Sequence, residues 1–405
     1  MKKSKKLIVL LFIIAISVFP IFSAIGRMPW WVILKNHPMH RQTVEIGVIL
    51  ADQGSYSGYE PIYALAEEDI NDYYAKLGYR LDISFIIRDA DGQASIHLDE
   101  VENFHAMDVN LLIAGHWSSQ ALTALEYVNE YKMLMFSPSS TYYTLAIPGD
   151  NLYRLTPTDN YQVKALAELL RAHAINYLVV LQLGIDWGYG ISSALDDEWE
   201  GDIVTVVYPE EARGNSTYDF TEYLEDAEAA TGVASDDKAL LLISFAEANG
   251  IMRQVDDNPS FGDLDKLVWY GVDAIAQLNI ESDVVDAATR YMLYSTKAAP
   301  TRSEKWYEFC DRLGYEPGFY EACAYDIAWV YAKAVLEASI DAPEGVKMIL
   351  EDVSDQYYGV TGWCNLNDAG DREPLDYDVW KFGTYDWVRI GKWDKYTENI
   401  EWYEP

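Results

Sequence analysis

Short apolar runs alternate with longer segments of helical spacing along most of this chain. Leu111–Ala114 and Met133–Phe136 are two such runs, and the segment from Gln120 to about Tyr131 between them has helical spacing. A strand, a helix and a second strand in this order predict parallel neighbours in one sheet, with their following loops at the same edge. The repeated rhythm predicts an α/β fold with doubly wound parallel sheets.

The loops that follow these two predicted strands are rich in hydroxyl groups. Gly115–Ser119 leads into the predicted helix, and Ser137–Thr141 follows the second strand. Ser119 lies where the helix begins, so free backbone N–H groups and the positive end of the helix dipole favour a carboxylate there. Serines at such positions also serve as helix caps. Two hydroxyl-rich loops at one sheet edge favour the interpretation as an anion-binding cleft.

The alternation of strands and helices occurs in two successive sets. The first set opens with a strand at Val44–Ala51, a polar loop at Gln53–Gly58 and a helix at Ala64–Lys76. The second set follows residues 153–159, which we interpret as a crossing between lobes. After the second set the chain crosses back, and a long apolar helix follows at Phe319–Ala338. Two similar lobes joined by several crossings predict a hinged clamshell with a ligand between them.

The predicted division of the chain has five parts. Lobe 1 is built from two separate stretches of sequence, with lobe 2 between them. The parts are a lysine-rich tip with a membrane anchor or signal and a linker (1–42), the first part of lobe 1 (43–157), lobe 2 (158–293), the second part of lobe 1 (294–361) and a C-terminal crossing with strands (362–405).

The N-terminus has the pattern of a membrane segment. Four lysines lie within residues 2–6, and Leu7–Ile25 is apolar apart from Ser17 and Ser23. This stretch is long enough to span a bilayer, which takes ~20 residues. We expect a retained anchor, with the lysines in the cytoplasm and the bulk of the chain outside. A cleaved signal peptide is the alternative, although Phe22 fits a cleavage site poorly.

The composition excludes one class of partner. The chain has 405 residues, of which 50% are hydrophobic, and a formal net charge of −35. It is long enough for two domains with ample cores, and its charge argues against nucleic acid or an anionic lipid surface as the main partner.

The acidic pair Glu210 and Glu211, with Arg213 just after it, is interpreted as a solvated turn.

Sequence motifs for catalysis and metal binding are absent. The chain has no G-x-S-x-G, no P-loop and no H-E-x-x-H. Its six histidines are dispersed, and Cys310, Cys323 and Cys364 are too widely spaced for a metal knuckle. His116 lies beside Ser118, but neighbours in a loop seldom face each other as nucleophile and base. We therefore predict no enzyme activity, no cofactor and no metal.

Aromatic residues and one acid follow several predicted strands. Tyr56 follows the first strand of the chain, and Trp187, Phe245 and Asp273 follow strands of the second set. Each aromatic residue alone is also explained by packing between loops. Together they predict that a cationic group lies against aromatic faces and pairs with Asp273. The carboxylate of the same molecule would lie on the hydroxyl-rich loops, and such a molecule is an amino acid.

Seven segments, in this order, resemble the leucine/isoleucine/valine-binding protein family, the solute receptors of branched-chain amino-acid ABC transporters. The resemblance covers roughly Val44 to Asp394, and it implies the type I periplasmic binding protein fold, in which a multi-strand hinge joins two lobes. The segments are VEIGVILADQGSYSGYE, LIAGHWSS, MFSPSST, LTPTDNYQ, IDWGYG, ACAYDIAWVYAKAVLEA and YGVTGWCNLNDAGDRE.

This resemblance also implies a function. An extracytoplasmic binding protein of this kind takes up a branched-chain or similarly apolar amino acid between its lobes and delivers it to the permease subunits of an ABC importer. Two alternatives stay open, because relatives of the family bind amides, urea or aromatic acids and the same fold is used in ligand-sensing receptor ectodomains. Neither alternative involves an enzyme.

The ligand-binding positions of the family fall on eight residues of this chain. By resemblance they are Ser119, Ser140 and Thr141 for the α-carboxylate, Trp187 and Phe245 for the lining from lobe 2, Asp273 for the α-ammonium, Tyr56 for the first loop and Asp159 at the hinge edge. Tyr59 is an alternative to Tyr56, because the spacing differs there. The family commonly has Glu at the position of Asp273 and often Tyr at that of Trp187, and both changes affect the expected ligand.

Overall fold

The computed structural model describes residues 42–404, apart from 233–234, 236 and 339–341. The predicted membrane segment at Leu7–Ile25 lies outside the described residues. None of the helices in the described part of the chain combines the length and the apolar character that a membrane crossing requires.

Thirteen strands form two sheets in the described residues. They are β1 (Gln42–Leu50), β2 (Leu81–Asp89), β3 (Leu111–Ile113), β4 (Leu134–Ser137), β5 (Leu152–Arg154), β6 (Tyr177–Leu183), β7 (Asp202–Tyr208), β8 (Lys238–Ile243), β9 (Val268–Gly271), β10 (Tyr294–Ala298), β11 (Tyr377–Phe382), β12 (Trp387–Asp394) and β13 (Asn399–Trp402). The first sheet has the order β2-β1-β3-β4-β5, and the second has the order β13-β12-β11-β10-β9-β8-β6-β7.

Eleven α-helices cover these sheets within the same residues. They are α1 (Gln53–Lys76), α2 (Ala94–Ala106), α3 (Ser118–Glu130), α4 (Asp159–Ala172), α5 (Asp186–Glu198), α6 (Thr221–Thr231), α7 (Ala248–Asp257), α8 (Val285–Arg290), α9 (Glu304–Leu313), α10 (Phe319–Ala338) and α11 (Pro343–Asp355). The first sheet with its helices is lobe 1, and the second sheet with its helices is lobe 2.

The central strands of both sheets are buried on both faces, as the sequence rhythm predicts. All strand pairs of the first sheet are parallel. In β1, Val48 packs in the core on one face, whereas Ile49 packs in the core on the other face. In β6, Leu181 and Val180 divide between the two cores of lobe 2 in the same way. Helices on both faces of a parallel sheet confirm the predicted α/β fold.

The second sheet is parallel from β7 to β10 and antiparallel beyond it. β10 pairs with β9 in parallel and with β11 in antiparallel register. The boundary predicted after residue 293 places Tyr294–Ala298 in lobe 1, but these pairings place that strand in lobe 2. The chain crosses between the lobes at residues 155–158, 299–303 and 373–376.

The start of α1 differs from the sequence prediction. The prediction of a loop at Gln53–Gly58 is wrong, because these residues form the first turns of a helix of 24 residues. Its glycines are poor helix formers, but Ile62 and Ala66 further along the helix are fully buried in the core of lobe 1. Packing of this face stabilises a helix that the local sequence does not favour.

A buried ion pair joins the hinge to the hydroxyl-rich loop of lobe 1. Arg154 at the end of β5 lies 2.5 Å from the Asp371 carboxylate, and both side chains are almost fully buried. The Arg154 Nη1 atom also donates hydrogen bonds to the carbonyls of Ser140 at 3.2 Å and Tyr142 at 2.7 Å. This arginine therefore fixes the loop after β4 against the crossing that precedes β11.

Candidate ligand-binding site

A cavity of about 200 Å³ lies between the two lobes. It is formed where the carboxyl ends of the parallel strands face each other across the hinge, as expected for ligand sites of open α/β sheets. Lobe 1 contributes Ala51, Tyr59, His116, Trp117, Ser118, Ser139, Thr141 and Tyr320, and lobe 2 contributes Trp187, Phe245, Asp273, Ala274 and Lys297.

The two hydroxyl-rich loops of lobe 1 are joined by hydrogen bonds. The Ser137 Oγ donates to the Gly115 carbonyl at 2.7 Å, and the Ser139 Oγ donates to the His116 carbonyl at 2.7 Å. The Tyr142 N–H donates to the Ser118 Oγ at 3.2 Å. These contacts follow from the parallel order of β3 and β4, which brings both loops to one edge.

Gly115 makes the turn between β3 and α3 possible. Its φ of +68° lies in the left-handed region, which favours glycine. Its N–H donates to the His97 Nε2 at 2.9 Å, so the turn is fixed from a second helix. The N-terminus of α3 is thereby held at the edge of the cavity.

The residues predicted to bind the ligand α-carboxylate lie at different depths relative to the cavity. Thr141 lines the cavity and is buried. Ser140 is fully buried, and its Oγ has no hydrogen-bond partner among the described residues. Ser118 lines the cavity, whereas Ser119 is one residue further into α3 and its Oγ accepts a hydrogen bond from Arg213 at 3.3 Å.

Of the described side chains in the first segment, Tyr59 is the aromatic one that lies at the cavity. This residue lies on α1, lines the cavity and contacts the His116 ring edge-on at 4.7 Å between centroids. Tyr56 lies one turn earlier on the same helix, and its side chain lies outside the described part of the structure.

Three aromatic rings form one wall of the cavity across both lobes. Trp187 in the first turn of α5 stacks on Phe245 at 4.8 Å between centroids. Phe245 also contacts Trp117 of lobe 1 at 5.7 Å. The cleft is therefore closed on this side, with an apolar surface that continues from one lobe to the other.

Asp273 lies after β9 and is 5% exposed. Its Oδ2 accepts a hydrogen bond from the hydroxyl of Tyr320, which is supplied by α10 of lobe 1. Its Oδ1 is buried and has no hydrogen-bond partner among the described residues. A buried carboxylate oxygen without a partner is costly, so this atom is a natural position for a cationic donor.

Asp159 begins α4 at the first crossing and is fully buried without lining the cavity. Its backbone N–H donates to the Thr141 carbonyl at 2.9 Å. Burial, and then the charge of Asp273, raise the pKa of its carboxyl to about 8. The carboxyl is therefore mostly protonated at pH 7, and it supports Thr141 from behind.

The position of the Arg213 side chain shows that its interpretation as part of a solvated turn is wrong. Its side chain is 8% exposed, and its guanidinium lies 5.1 Å from the centre of the Trp117 ring of lobe 1. Glu210 is exposed, as predicted, and pairs with the Arg213 Nη2 at 2.8 Å. The arginine reaches across the cleft because it follows β7, at the same sheet edge as the ligand loops.

Lys297 was also not predicted as a site residue. It lies near the end of β10 and lines the cavity. Arg213 and Lys297 share a signal in the sequence that could have identified them as site residues. Each lies after or near the end of a strand, and basic residues are scarce in this chain, with 30 basic against 65 acidic residues.

The fold and the closed cleft define a two-lobed ligand-binding protein of the type I periplasmic binding architecture. The chain belongs to the family described as the receptor family ligand binding region, which matches residues 63–384. It is 25% identical to an uncharacterized protein of Methanocaldococcus jannaschii over 385 residues, which cover 89% of this chain and 91% of that protein.

Solved structures of substrate-binding proteins have the same fold. A leucine-binding protein of Thermotoga maritima has a TM-score of 0.71 and 17% identity, with 86% of this chain and 98% of that chain covered. A branched-chain amino acid transporter substrate-binding protein of Streptococcus pneumoniae, in complex with isoleucine, has a TM-score of 0.69 and 18% identity, with 89% and 100% covered. The predicted family resemblance is thus confirmed.

Proposed function

We propose that this chain is the substrate-binding protein of an ABC importer and binds an amino acid, branched-chain or similarly apolar, between its two lobes. The observation that carries the proposal is the unpartnered Oδ1 of Asp273, buried at a cavity whose other side is formed by the hydroxyl-rich loops. The two charged ends of an amino acid require such a pair of opposed surfaces.

Each end of the ligand has a stated partner in this proposal. The α-ammonium donates to Asp273, and the α-carboxylate accepts from Thr141 and from the N-terminus of α3, where Ser118 and Ser119 lie. The apolar side chain packs on the rings of Trp187 and Phe245. The proposal includes no catalytic step, cofactor or metal.

Closure of the lobes couples binding to transport. The Tyr320–Asp273 and Arg213–Ser119 hydrogen bonds both join the two lobes. A ligand held by both lobes shifts the population to the closed state in proportion to its preference for that state. The closed form then docks on the permease subunits, outside the cytoplasm, with the predicted membrane segment at residues 7–25 as a tether or, alternatively, as a cleaved signal.

A ligand-sensing receptor ectodomain is the second candidate, because the matched family is described as a receptor ligand-binding region. The two candidates share the cleft and differ in the partner of the closed form. Co-purification with permease subunits after ligand addition supports the importer, and co-purification with a signalling protein supports the receptor.

Thermal unfolding of the detergent-solubilised full chain against L-amino acids, amides, urea and aromatic acids tests the ligand class. A ligand at 100 times its dissociation constant adds about 2.7 kcal/mol to the free energy of unfolding, which raises the melting temperature. We expect a rise with at least one L-amino acid. A rise with amides, urea or aromatic acids alone would contradict the role of Asp273.

A further inference from the structure

The ammonium group of Lys297 is a cation at the cavity without an ion-pair partner. Its Nζ donates one hydrogen bond, to the Ala276 carbonyl at 3.2 Å, and lies 5.2 Å from the centre of the Tyr320 ring. An ammonium has three donors, and no carboxylate of a described residue forms an ion pair with it. By contrast, Arg213 on the same cleft has Glu210 as its partner.

Among the titratable groups at the cavity, Asp273 is the carboxylate that acts most strongly on this ammonium, although the two groups do not form an ion pair. Asp273 carries one negative charge, whereas the Asp159 carboxyl behind Thr141 is mostly protonated at pH 7 because its pKa is raised to about 8. His116 is neutral, since burial and then His97 lower its pKa to about 3. Asp273, and then Glu321, act on Lys297 as opposite charges without forming an ion pair with it. The cavity therefore has one carboxylate and one ammonium.

A zwitterionic amino acid with an apolar side chain, bound in the orientation proposed above, gives Lys297 no carboxylate of its own. Its α-ammonium takes the free oxygen of Asp273, and its α-carboxylate lies on the opposite loops. Lys297 then shares the buried carboxylate of Asp273 with a second cation, which is costly. A second carboxylate on the ligand removes this cost.

We propose that Lys297 is a specificity-determining residue that binds the side-chain carboxylate of a dicarboxylic L-amino acid. The inference rests on the proposed function: it keeps the receptor and the α-ammonium on Asp273, and it replaces the apolar side chain by an acidic one. Charge rather than volume makes the distinction, because glutamate and leucine are similar in size. In a chain with net charge −35, a local cation also offsets the general repulsion of an acidic ligand.

Titration calorimetry on the full chain with L-glutamate, L-aspartate, L-leucine and L-valine tests this assignment, in the wild type and in Lys297→Met. We expect an acidic amino acid to bind the wild type at least about tenfold more tightly than the apolar ones. Lys297→Met should weaken its binding at least about thirtyfold, as expected for truncation of one partner of a buried charge pair, while leucine binding is unchanged or tighter. Lys266→Met, at an exposed lysine of the same lobe, should change neither.

The results of this experiment distinguish a failure of the Lys297 assignment from a failure of the proposed function. Tighter binding of leucine than of both acidic amino acids, unchanged by Lys297→Met, overturns the role of Lys297 and leaves the amino-acid receptor intact. Failure of every amino acid to bind, with folded wild type by thermal unfolding, overturns both. A melting temperature of Lys297→Met equal to that of the wild type without ligand shows that a loss of glutamate binding is not a loss of fold.

Discussion

The two walls of the cleft differ in how far their polar groups are satisfied. The lobe 1 wall consists of hydroxyl and backbone groups tied by hydrogen bonds between its loops, such as Ser137 to Gly115 and Ser139 to His116. The lobe 2 wall has ionisable groups whose hydrogen-bonding capacity is not fully used. They are the Asp273 Oδ1, which has no partner, and the Lys297 ammonium, which donates one hydrogen bond. Lobe 1 is thus a pre-formed surface, whereas lobe 2 supplies the charges that a ligand must satisfy.

This difference predicts that mutations in the two walls act on different quantities. A change in the support of the lobe 1 wall should lower stability, because hydrogen bonds between its loops hold this wall together. A change in the lobe 2 wall should lower affinity, because its groups are satisfied by the ligand.

The largest expected effect is on stability, at Arg154 behind the lobe 1 wall. Arg154→Met removes one partner of a buried ion pair and leaves Asp371 unpaired, so the free energy of unfolding should fall by about 3–5 kcal/mol. Urea unfolding measures this loss. Arg171→Met, at a partly exposed arginine with several acidic neighbours, should cost about 1 kcal/mol or less; equal losses in the two variants would refute the special role of the buried pair.

Affinity should respond most at Asp273. Asp273→Asn keeps the size of the side chain but removes its charge, so amino-acid binding should weaken by about 2–5 kcal/mol. Calorimetry on the variant provides the number. The matched control is Asp286→Asn, at an exposed acid of the same lobe, which should bind as the wild type does. Wild-type affinity in Asp273→Asn would exclude a contact with the ligand ammonium.

Asp159 should make stability fall as the pH rises. Its folded-state pKa of about 8 is above the ordinary pKa of an aspartate, which is about 4. Its favourable contribution is therefore complete below about pH 4 and is lost as the pH rises to about 8. In this window one proton changes the free energy of unfolding by about 1.4 kcal/mol per pH unit.

Asp159→Asn tests the sign of this dependence. The variant should lack this part of the slope in urea unfolding measured from pH 6 to pH 7.5, because asparagine does not titrate. An identical slope in wild type and variant would show that the Asp159 carboxyl is ionised throughout this range.

The smallest expected effect concerns closure, at Arg213. Arg213→Met removes the hydrogen bond to Ser119 and the contact with the Trp117 ring, so ligand affinity should weaken by about 1–2 kcal/mol. Arg290→Met, at a surface arginine of lobe 2, serves as the comparison. A loss of stability in Arg213→Met without any loss of affinity would assign this arginine to lobe 2 alone.

Much of the fold could be predicted from the sequence, because strands buried on both faces have an unmistakable pattern. The order of β3, α3 and β4 also predicted that the loops after the two strands meet. Thr141, Trp187, Phe245 and Asp273 line the cavity because they follow strands whose carboxyl ends face the cleft, Thr141 in lobe 1 and the other three in lobe 2.

Side-chain direction could not be predicted in the same way. The start of α1 depends on packing against the core, and its helical phase decides that Tyr59 lines the cavity. Arg213 and Lys297 were not predicted as site residues. The role of each depends on how lobe 1 approaches lobe 2 and on which carboxylates remain unpaired, and these two features exist only in the assembled lobes.

The proposed function depends most on the contact between Asp273 and the ammonium of an amino acid. It is tested most directly by a cycle of four dissociation constants, for the tightest-binding L-amino acid and its deaminated counterpart with the wild type and with Asp273→Asn. Loss of the ammonium should weaken binding to the wild type by at least about tenfold and should have little effect on the variant. An equal loss in both proteins would contradict the contact.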